Sequence, residues 1–116
     1  MAHEGSCHCG RVAFDVEGDP GQVIECNCSH CSRKGYLLWF VPADKFRLRQ
    51  GQDDLATYQF NKHAIDHKFC TTCGCAPFAT GKDPASGAEM VGVNVRCLPD
   101  IDHAALDVHR FDGRSL

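Results

Sequence analysis

Seven of the nine cysteines in this 116-residue chain fall into three short clusters: Cys7-His8-Cys9, Cys26-Asn27-Cys28-Ser29-His30-Cys31 and Cys70-Thr71-Thr72-Cys73. At these spacings neighbouring thiolates can share one borderline-soft cation, and zinc is the usual guest of sulfur at such density. The first and third clusters together supply four sulfurs. Four thiolates saturate tetrahedral zinc, so Cys7, Cys9, Cys70 and Cys73 read as a structural site that ties the start of the chain to its middle. Gly74, directly after Cys73, favours a tight turn whose backbone amides can point at sulfur.

The middle cluster has a different count. Cys26, Cys28 and Cys31 offer three ligands, which leaves the fourth tetrahedral position for water or an incoming donor, the feature that separates catalytic zinc from structural zinc. A further thiolate suits that position chemically, so a small-molecule thiol is the expected substrate. Two zinc ions in all are expected. His30 has three open readings: a fourth ligand that would make this site structural too, a proton shuttle beside the open position, or a surface residue. Cys75 and Cys97 lie outside the clusters and read as small buried hydrophobes. His63 and His67, four apart, read as strand residues rather than ligands. Arg33 and Lys34 could draw a carboxylate-bearing substrate, although solvated surface charge is the simpler account.

The elements that must position these residues are short and mostly extended. Val12, Phe14 and Val16 alternate with polar or small residues and stop at Gly18-Asp19-Pro20, the period of a half-buried strand. Gln22 to Cys26 reads as a second strand, Asn27 to Gly35 as a loop or one helical turn, and Tyr36 to Val41 as a buried strand ended by Pro42. Phe46 to Arg49, Leu55 to Phe60 and His63 to Phe69 read as an antiparallel meander. Ala76 to Ala79 and Met90 to Val95 flank a loop rich in Gly, Pro, Asp and Ser. One helical turn is expected at His103 to Leu106, ahead of a polar tail. Trp39-Phe40 is expected in the core rather than over the middle cluster.

Composition narrows the class. A chain with 43% hydrophobic residues has material for one core, so residues 1–116 are expected to form one mainly β, zinc-stabilised domain. A formal charge of -3 with mixed signs gives no broad basic field, so no nucleic-acid partner is expected. No apolar run approaches the roughly 20 residues a membrane span needs, and Met1 to Gly10 carry His3, Glu4 and two cysteines where a leader's apolar stretch would lie. A cytoplasmic location is therefore expected. There nine cysteines, an odd number, favour metal or thiolate chemistry over disulfides. The oligomeric state is left open.

The ordered motifs Gly5-Ser6-Cys7-His8-Cys9-Gly10, Cys26-Asn27-Cys28-Ser29-His30-Cys31 and Phe69-Cys70-Thr71-Thr72-Cys73-Gly74 resemble those of the glutathione-dependent formaldehyde-activating enzyme family, which also includes centromere protein V. The likeness continues through Tyr36 to Pro42, Asn94-Val95-Arg96-Cys97-Leu98 and Phe111-Asp112-Gly113-Arg114. It implies a sheet-rich, tent-like fold similar to that of Mss4. It also implies that Cys7, Cys9, Cys70 and Cys73 hold the structural zinc, and that Cys26, Cys28 and Cys31 hold the catalytic one. The implied activity is condensation of formaldehyde with glutathione to S-hydroxymethylglutathione, a carbon–sulfur lyase reaction in the reverse sense. Two rival readings stand beside it: a non-catalytic zinc-stabilised binding module, and a thiol redox or metal-buffering protein.

Overall fold

A computed structural model of the chain describes residues 2–60, 65–83 and 85–115. Among the described residues, ten strands and one short α-helix follow one another as β1 (Ala2–Ser6), β2 (Ala13–Glu17), β3 (Gln22–Cys26), α1 (Ser29–Lys34), β4 (Leu38–Pro42), β5 (Phe46–Gln50), β6 (Leu55–Tyr58), β7 (Asp66–Cys70), β8 (Phe78–Lys82), β9 (Glu89–Asn94) and β10 (Asp107–Phe111). The protein is mainly β, as its short alternating segments predict. Among the described residues no helix is long and apolar enough to cross a membrane.

The strands form two sheets. β1, β2 and β5 make a three-stranded antiparallel sheet, and the other seven make a sheet in the order β10-β3-β4-β9-β8-β7-β6. Between the sheets lies a core in which Val12, Phe14, Val16, Trp39, Val41, Phe78, Val91 and Val93 are buried. The rings of Phe14 from β2, Phe46 from β5 and Phe78 from β8 meet at centroid distances of 4.6 to 6.2 Å and so bridge one sheet to the other. A fully buried ring such as Phe14 contributes about 3 kcal/mol relative to exposure. Its position requires Gly5 opposite it in β1, because a Cβ there would lie 2.3 Å from the Phe14 ring.

Several details differ from the sequence-based expectations. β5 does not join a meander with β6 and β7; it pairs with β2 in the smaller sheet, while β6 and β7 do pair with each other. The turn at Gly51 therefore does not form a hairpin between β5 and β6. It instead passes the chain between sheets, with Gly51 at φ 93° and no room for a Cβ, which would meet the Arg11 carbonyl at 2.4 Å. β4 starts at Leu38 rather than Tyr36, since Gly35 closes α1 in the left-handed region and Tyr36-Leu37 leads into the strand. β8 starts at Phe78, after Pro77, and runs on to Lys82.

A further difference matters most for function. The polar tail contains β10, which pairs parallel to β3 in register from Asp107 opposite Gln22 to Phe111 opposite Cys26. The expected turn at His103–Ala105 is present as a 3₁₀ helix immediately before it. Half of the aromatic pair also differs: Trp39 is buried in the core, but Phe40 is 48% exposed on the opposite face of β4, against Gly92. His63 lies outside the described residues.

Candidate metal centres and the adjoining cavity

The four-sulfur group assembles from two tight turns at strand ends. Cys7 follows β1, and its loop closes through Cys7 N to Val12 O at 3.0 Å, with Gly10 at φ 83°. Cys70 ends β7, and its loop closes through Gly74 N to Cys70 O at 2.9 Å, with Gly74 at φ 81°. Both glycines occupy a backbone region that other residues enter at a cost. Amides do point at sulfur: Val12 N donates to Cys7 Sγ at 3.4 Å and Thr72 N to Cys70 Sγ at 3.4 Å. Gly74 shapes the turn while its own amide goes to a carbonyl.

All four sulfurs, of Cys7, Cys9, Cys70 and Cys73, lie within 4.8 Å of one another. Cys7 and Cys9 are 3.6 Å apart, as are Cys9 and Cys70. Ligands about 2.3 Å from a tetrahedral zinc sit about 3.8 Å apart, so the spacing fits that ion. It is far beyond the S–S bond of about 2.05 Å, and all nine cysteines are free thiols. The protons are unevenly held. Amides of Cys75 and Cys9 bring the Cys73 thiol down to about 5. At Cys9 the Arg11 amide pulls down, but desolvation and the neighbouring thiols push the group up to about 11. A cluster that already favours thiolate at some members is suited to a divalent cation.

The three-sulfur group is built by the β3–α1 junction. Cys26 ends β3, and Cys28 caps α1 with its sulfur accepting from Cys31 N at 3.3 Å. Cys28 N in turn donates to Cys26 Sγ at 3.4 Å. One helical turn then carries Cys31 inward to a buried position, and the three sulfurs lie within 4.8 Å of one another. Burial raises the Cys28 thiol, but the Cys31 amide and the Cys31 and Cys26 thiols together bring it below its ordinary value. Burial is the main cause holding Cys31 well above its own. This donor set also fits zinc, with three protein ligands rather than four.

A cavity of about 500 Å³ adjoins this second group, lined by Cys26 and Cys31, by Tyr36, by Arg96, and by Arg110 and Phe111 of β10. Arg96 donates through Nε to Gly35 O at 3.0 Å, and Arg110 pairs with Glu25 across the parallel strands at 3.5 Å. Arg33 and Lys34 are engaged elsewhere: Arg33 donates to Ser29 O and Lys34 sits over the Phe69 ring.

His30 is not part of the sulfur group. Its ring packs against His67 at 4.3 Å, Phe60 at 5.0 Å and Tyr58 at 5.3 Å, and the Nδ1 atoms of both histidines are buried without a partner. Desolvation lowers His30, and desolvation with the His30 charge lowers His67 to about 4, so both rings are neutral near pH 7. Cys75 and Cys97 pack against the core, and burial pushes Cys97 up to about 12, in keeping with inert packing.

Sequence reasoning passed over the residues that cover the three-sulfur group. Asn27, between two of the cysteines, fastens the end of the chain over it: its N donates to Phe111 O at 3.2 Å, its Nδ2 to Asp112 Oδ1 at 3.0 Å, and its Oδ1 accepts from Arg114 N at 2.9 Å. Gly113 sits against the sulfurs, where a Cβ would lie 2.5 Å from Cys26 Sγ. The available signal was the family-like segment Phe111 to Arg114, whose purpose no local pattern reveals.

Comparison with known proteins agrees with this arrangement. The chain is similar to a Rhodobacter sphaeroides protein of known crystal structure, with 30% sequence identity, a TM-score of 0.77, and coverage of 91% of this chain and 99% of that one. The family model described as glutathione-dependent formaldehyde-activating enzyme matches residues 2–113. With that match spanning both cysteine groups and the segment that closes over the second, the chain belongs to the glutathione-dependent formaldehyde-activating enzyme family.

Proposed function

We propose that residues 1–116 form one zinc-dependent enzyme domain that makes and breaks the carbon–sulfur bond between a small thiol and an aldehyde, with glutathione and formaldehyde as the reactants. In this reading Cys7, Cys9, Cys70 and Cys73 hold a structural zinc, and Cys26, Cys28 and Cys31 hold a catalytic one. The observation that carries it is the difference between the two groups: four sulfurs close one of them, whereas the other has three, and two of its residues, Cys26 and Cys31, line a cavity large enough for a tripeptide-sized thiol.

A zinc ion held by Cys26, Cys28 and Cys31 would supply a Lewis-acid centre that favours thiolate over thiol at neutral pH. The chain's own residues do the rest. Cys26, Cys28 and Cys31 fix where the substrate sulfur is held, because β3 and α1 set their spacing. Arg96 and Arg110 offer guanidinium groups to the substrate carboxylates, and Glu25 and Asp112 in the same cavity offer partners to an ammonium group. In the forward direction the sulfur lone pair forms the new bond to the carbonyl carbon, and the C=O π pair moves to oxygen. The thiol proton leaves to solvent and one proton returns to that oxygen, so thiol and aldehyde give a hydroxymethyl thioether with nothing left over. Orientation of the thiol by the cavity residues is the main contribution expected. A reducing cytoplasm, where thiols and their aldehyde adducts occur, suits this chemistry.

The experiment is a panel of thiols mixed with formaldehyde and zinc-loaded protein, following exchange between thiol and adduct. Catalysis above the uncatalysed rate, strongest for carboxylate-bearing thiols, is expected. Exchange at the uncatalysed rate across the whole panel would leave a binding module or metal buffer in its place.

A further inference from the structure

The proposed reaction places negative charge on the aldehyde oxygen, and that oxygen needs a hydrogen-bond donor in the cavity. His30, the nearest histidine in sequence, is poorly placed for this role. Its ring belongs to the stack with His67, Phe60 and Tyr58, its Nδ1 is enclosed there, and it does not line the cavity beside Cys26 and Cys31.

Of the other polar groups of the wall, Arg96 and Arg110 keep their terminal nitrogens for the substrate carboxylates, Arg110 Nε pairs with Glu25, and the rest are tied within the protein. Asn27 holds Asp112 and Arg114, Ser32 Oγ donates to Ser29 O at 3.4 Å, and Arg96 Nε donates to Gly35 O. Tyr36 is different. The residue is 3% exposed and packs in a small cluster with Cys31, Leu38 and Ala76, while its ring meets His30 at 5.7 Å and His67 at 6.3 Å. Those contacts fix the ring, yet among the described residues its hydroxyl has no hydrogen-bond partner. The enclosed orphan atoms are the two histidine nitrogens and not this oxygen, and Tyr36 lines the cavity. Buried tyrosines usually bond their hydroxyl to something, and here the available partner is whatever occupies the cavity.

We infer that the Tyr36 hydroxyl donates a hydrogen bond to the aldehyde-derived oxygen of the bound adduct, which makes Tyr36 a catalytic residue and the group that tells a hydroxymethyl thioether from a plain alkyl one. The inference rests on the proposed reaction for its substrate, but its test does not require turnover. The bond is formed with the hydroxyl of the adduct and, more strongly, with the alkoxide that precedes it. No covalent change occurs at Tyr36.

The test compares zinc-loaded wild type with Tyr36→Phe, using S-hydroxymethylglutathione kept in excess formaldehyde and S-ethylglutathione, in which a methyl group replaces the hydroxyl. Wild type should prefer the hydroxylated ligand by about tenfold in Kd, the worth of one good hydrogen bond. Tyr36→Phe should lose that preference, keep its affinity for S-ethylglutathione within about twofold, keep its zinc, and slow adduct exchange by about 10 to 100-fold. A second measurement does not depend on the variant's folding. The chain has two tyrosines, so ¹³Cζ-tyrosine-labelled wild type, with Tyr58→Phe for assignment, gives two signals. The hydroxymethyl ligand should move the Tyr36 signal and the ethyl ligand should not. Equal affinity of wild type for the two ligands, an unmoved Tyr36 signal, or a preference retained in Tyr36→Phe would each overturn the inference. A tyrosine-dependent preference without exchange above the uncatalysed rate would instead refute the proposed reaction and leave the Tyr36 contact standing.

Discussion

Gly113 approaches Cys26 so closely that a single methyl group on its α-carbon would stand 2.5 Å from the sulfur, although the two residues are 87 positions apart. The end of the chain is thus a covering for the three-sulfur group. Replacing Gly113 by Ala forces either the segment or the sulfur to move, since no heavy atom tolerates that distance. Zinc content should fall from about two ions per chain toward one, by the ligand count, while the unfolding midpoint shifts by only a few degrees. Metal analysis and a thermal melt check this, and full occupancy by two ions in the variant would show that the covering is loose.

Asn27 holds that covering with two side-chain hydrogen bonds, to Asp112 and to the amide of Arg114. Both are exposed, so each is worth about 1 kcal/mol or less. Asn27→Ala should barely change global stability but should release the last residues locally. Amide exchange at Arg114 should accelerate by about tenfold while the core strands stay protected. Unchanged protection at Arg114 would place the anchor elsewhere.

The two cysteine groups should respond differently to loss of one ligand. Cys70 is fully buried in the main core, at the end of β7, whereas Cys28 is half-buried at the helix cap outside it. Cys70→Ser should abolish cooperative unfolding, because an ion held there would join the loop after the smaller sheet's first strand to the larger sheet. Cys28→Ser should lower metal content and leave most of the fold. Circular dichroism with metal analysis decides it, and the reverse order of damage would exchange the two roles.

A histidine staple predicts the pH dependence. His3 of β1 is buried, contacts the edge of Trp39, and lies 2.9 Å from both Asp100 and Asp19. The Asp100 hydrogen bond, against desolvation and with help from Asp19, raises His3 above its ordinary 6.5. The protonated ring is therefore bound more tightly in the folded state than in the unfolded one. Its stabilisation is complete below about pH 6.5 and is lost as pH rises through the higher folded-state value. His3→Gln should flatten that part of the stability profile, by a few degrees in Tm between pH 6 and 8. The readout is the difference between wild type and His3→Gln, because the lowered His30 and His67 add stability as pH rises over the same interval, and a difference that grows with pH would contradict the assignment.

Much of this was legible in the chain itself. Val12, Phe14 and Val16 announce β2 because a strand repeats every two residues, and a buried face must be apolar at that period. The cysteines announce their grouping because sulfur pairs two or three residues apart can reach one ion in almost any turn. Gly10 and Gly74 mark those turns by the backbone freedom that only glycine has.

Other features depend on partners distant in sequence. β5 follows β4 closely yet pairs with β2, and only the stacking of Phe14, Phe46 and Phe78 between sheets decides that. His30 looks like a reactive neighbour of Cys28 and Cys31, but packing against His67 and Phe60 turns it into part of a ring stack. Tyr36 reads as one more apolar strand residue until Arg96 and Phe111 arrive from far along the chain to make a cavity wall beside it. Local spacing settled which sulfurs act together, because ligand reach is a matter of a few covalent bonds. Which group borders a cavity, and what else faces it, was decided by the parallel docking of β10 on β3, a non-local pairing that no period or motif in either segment encodes.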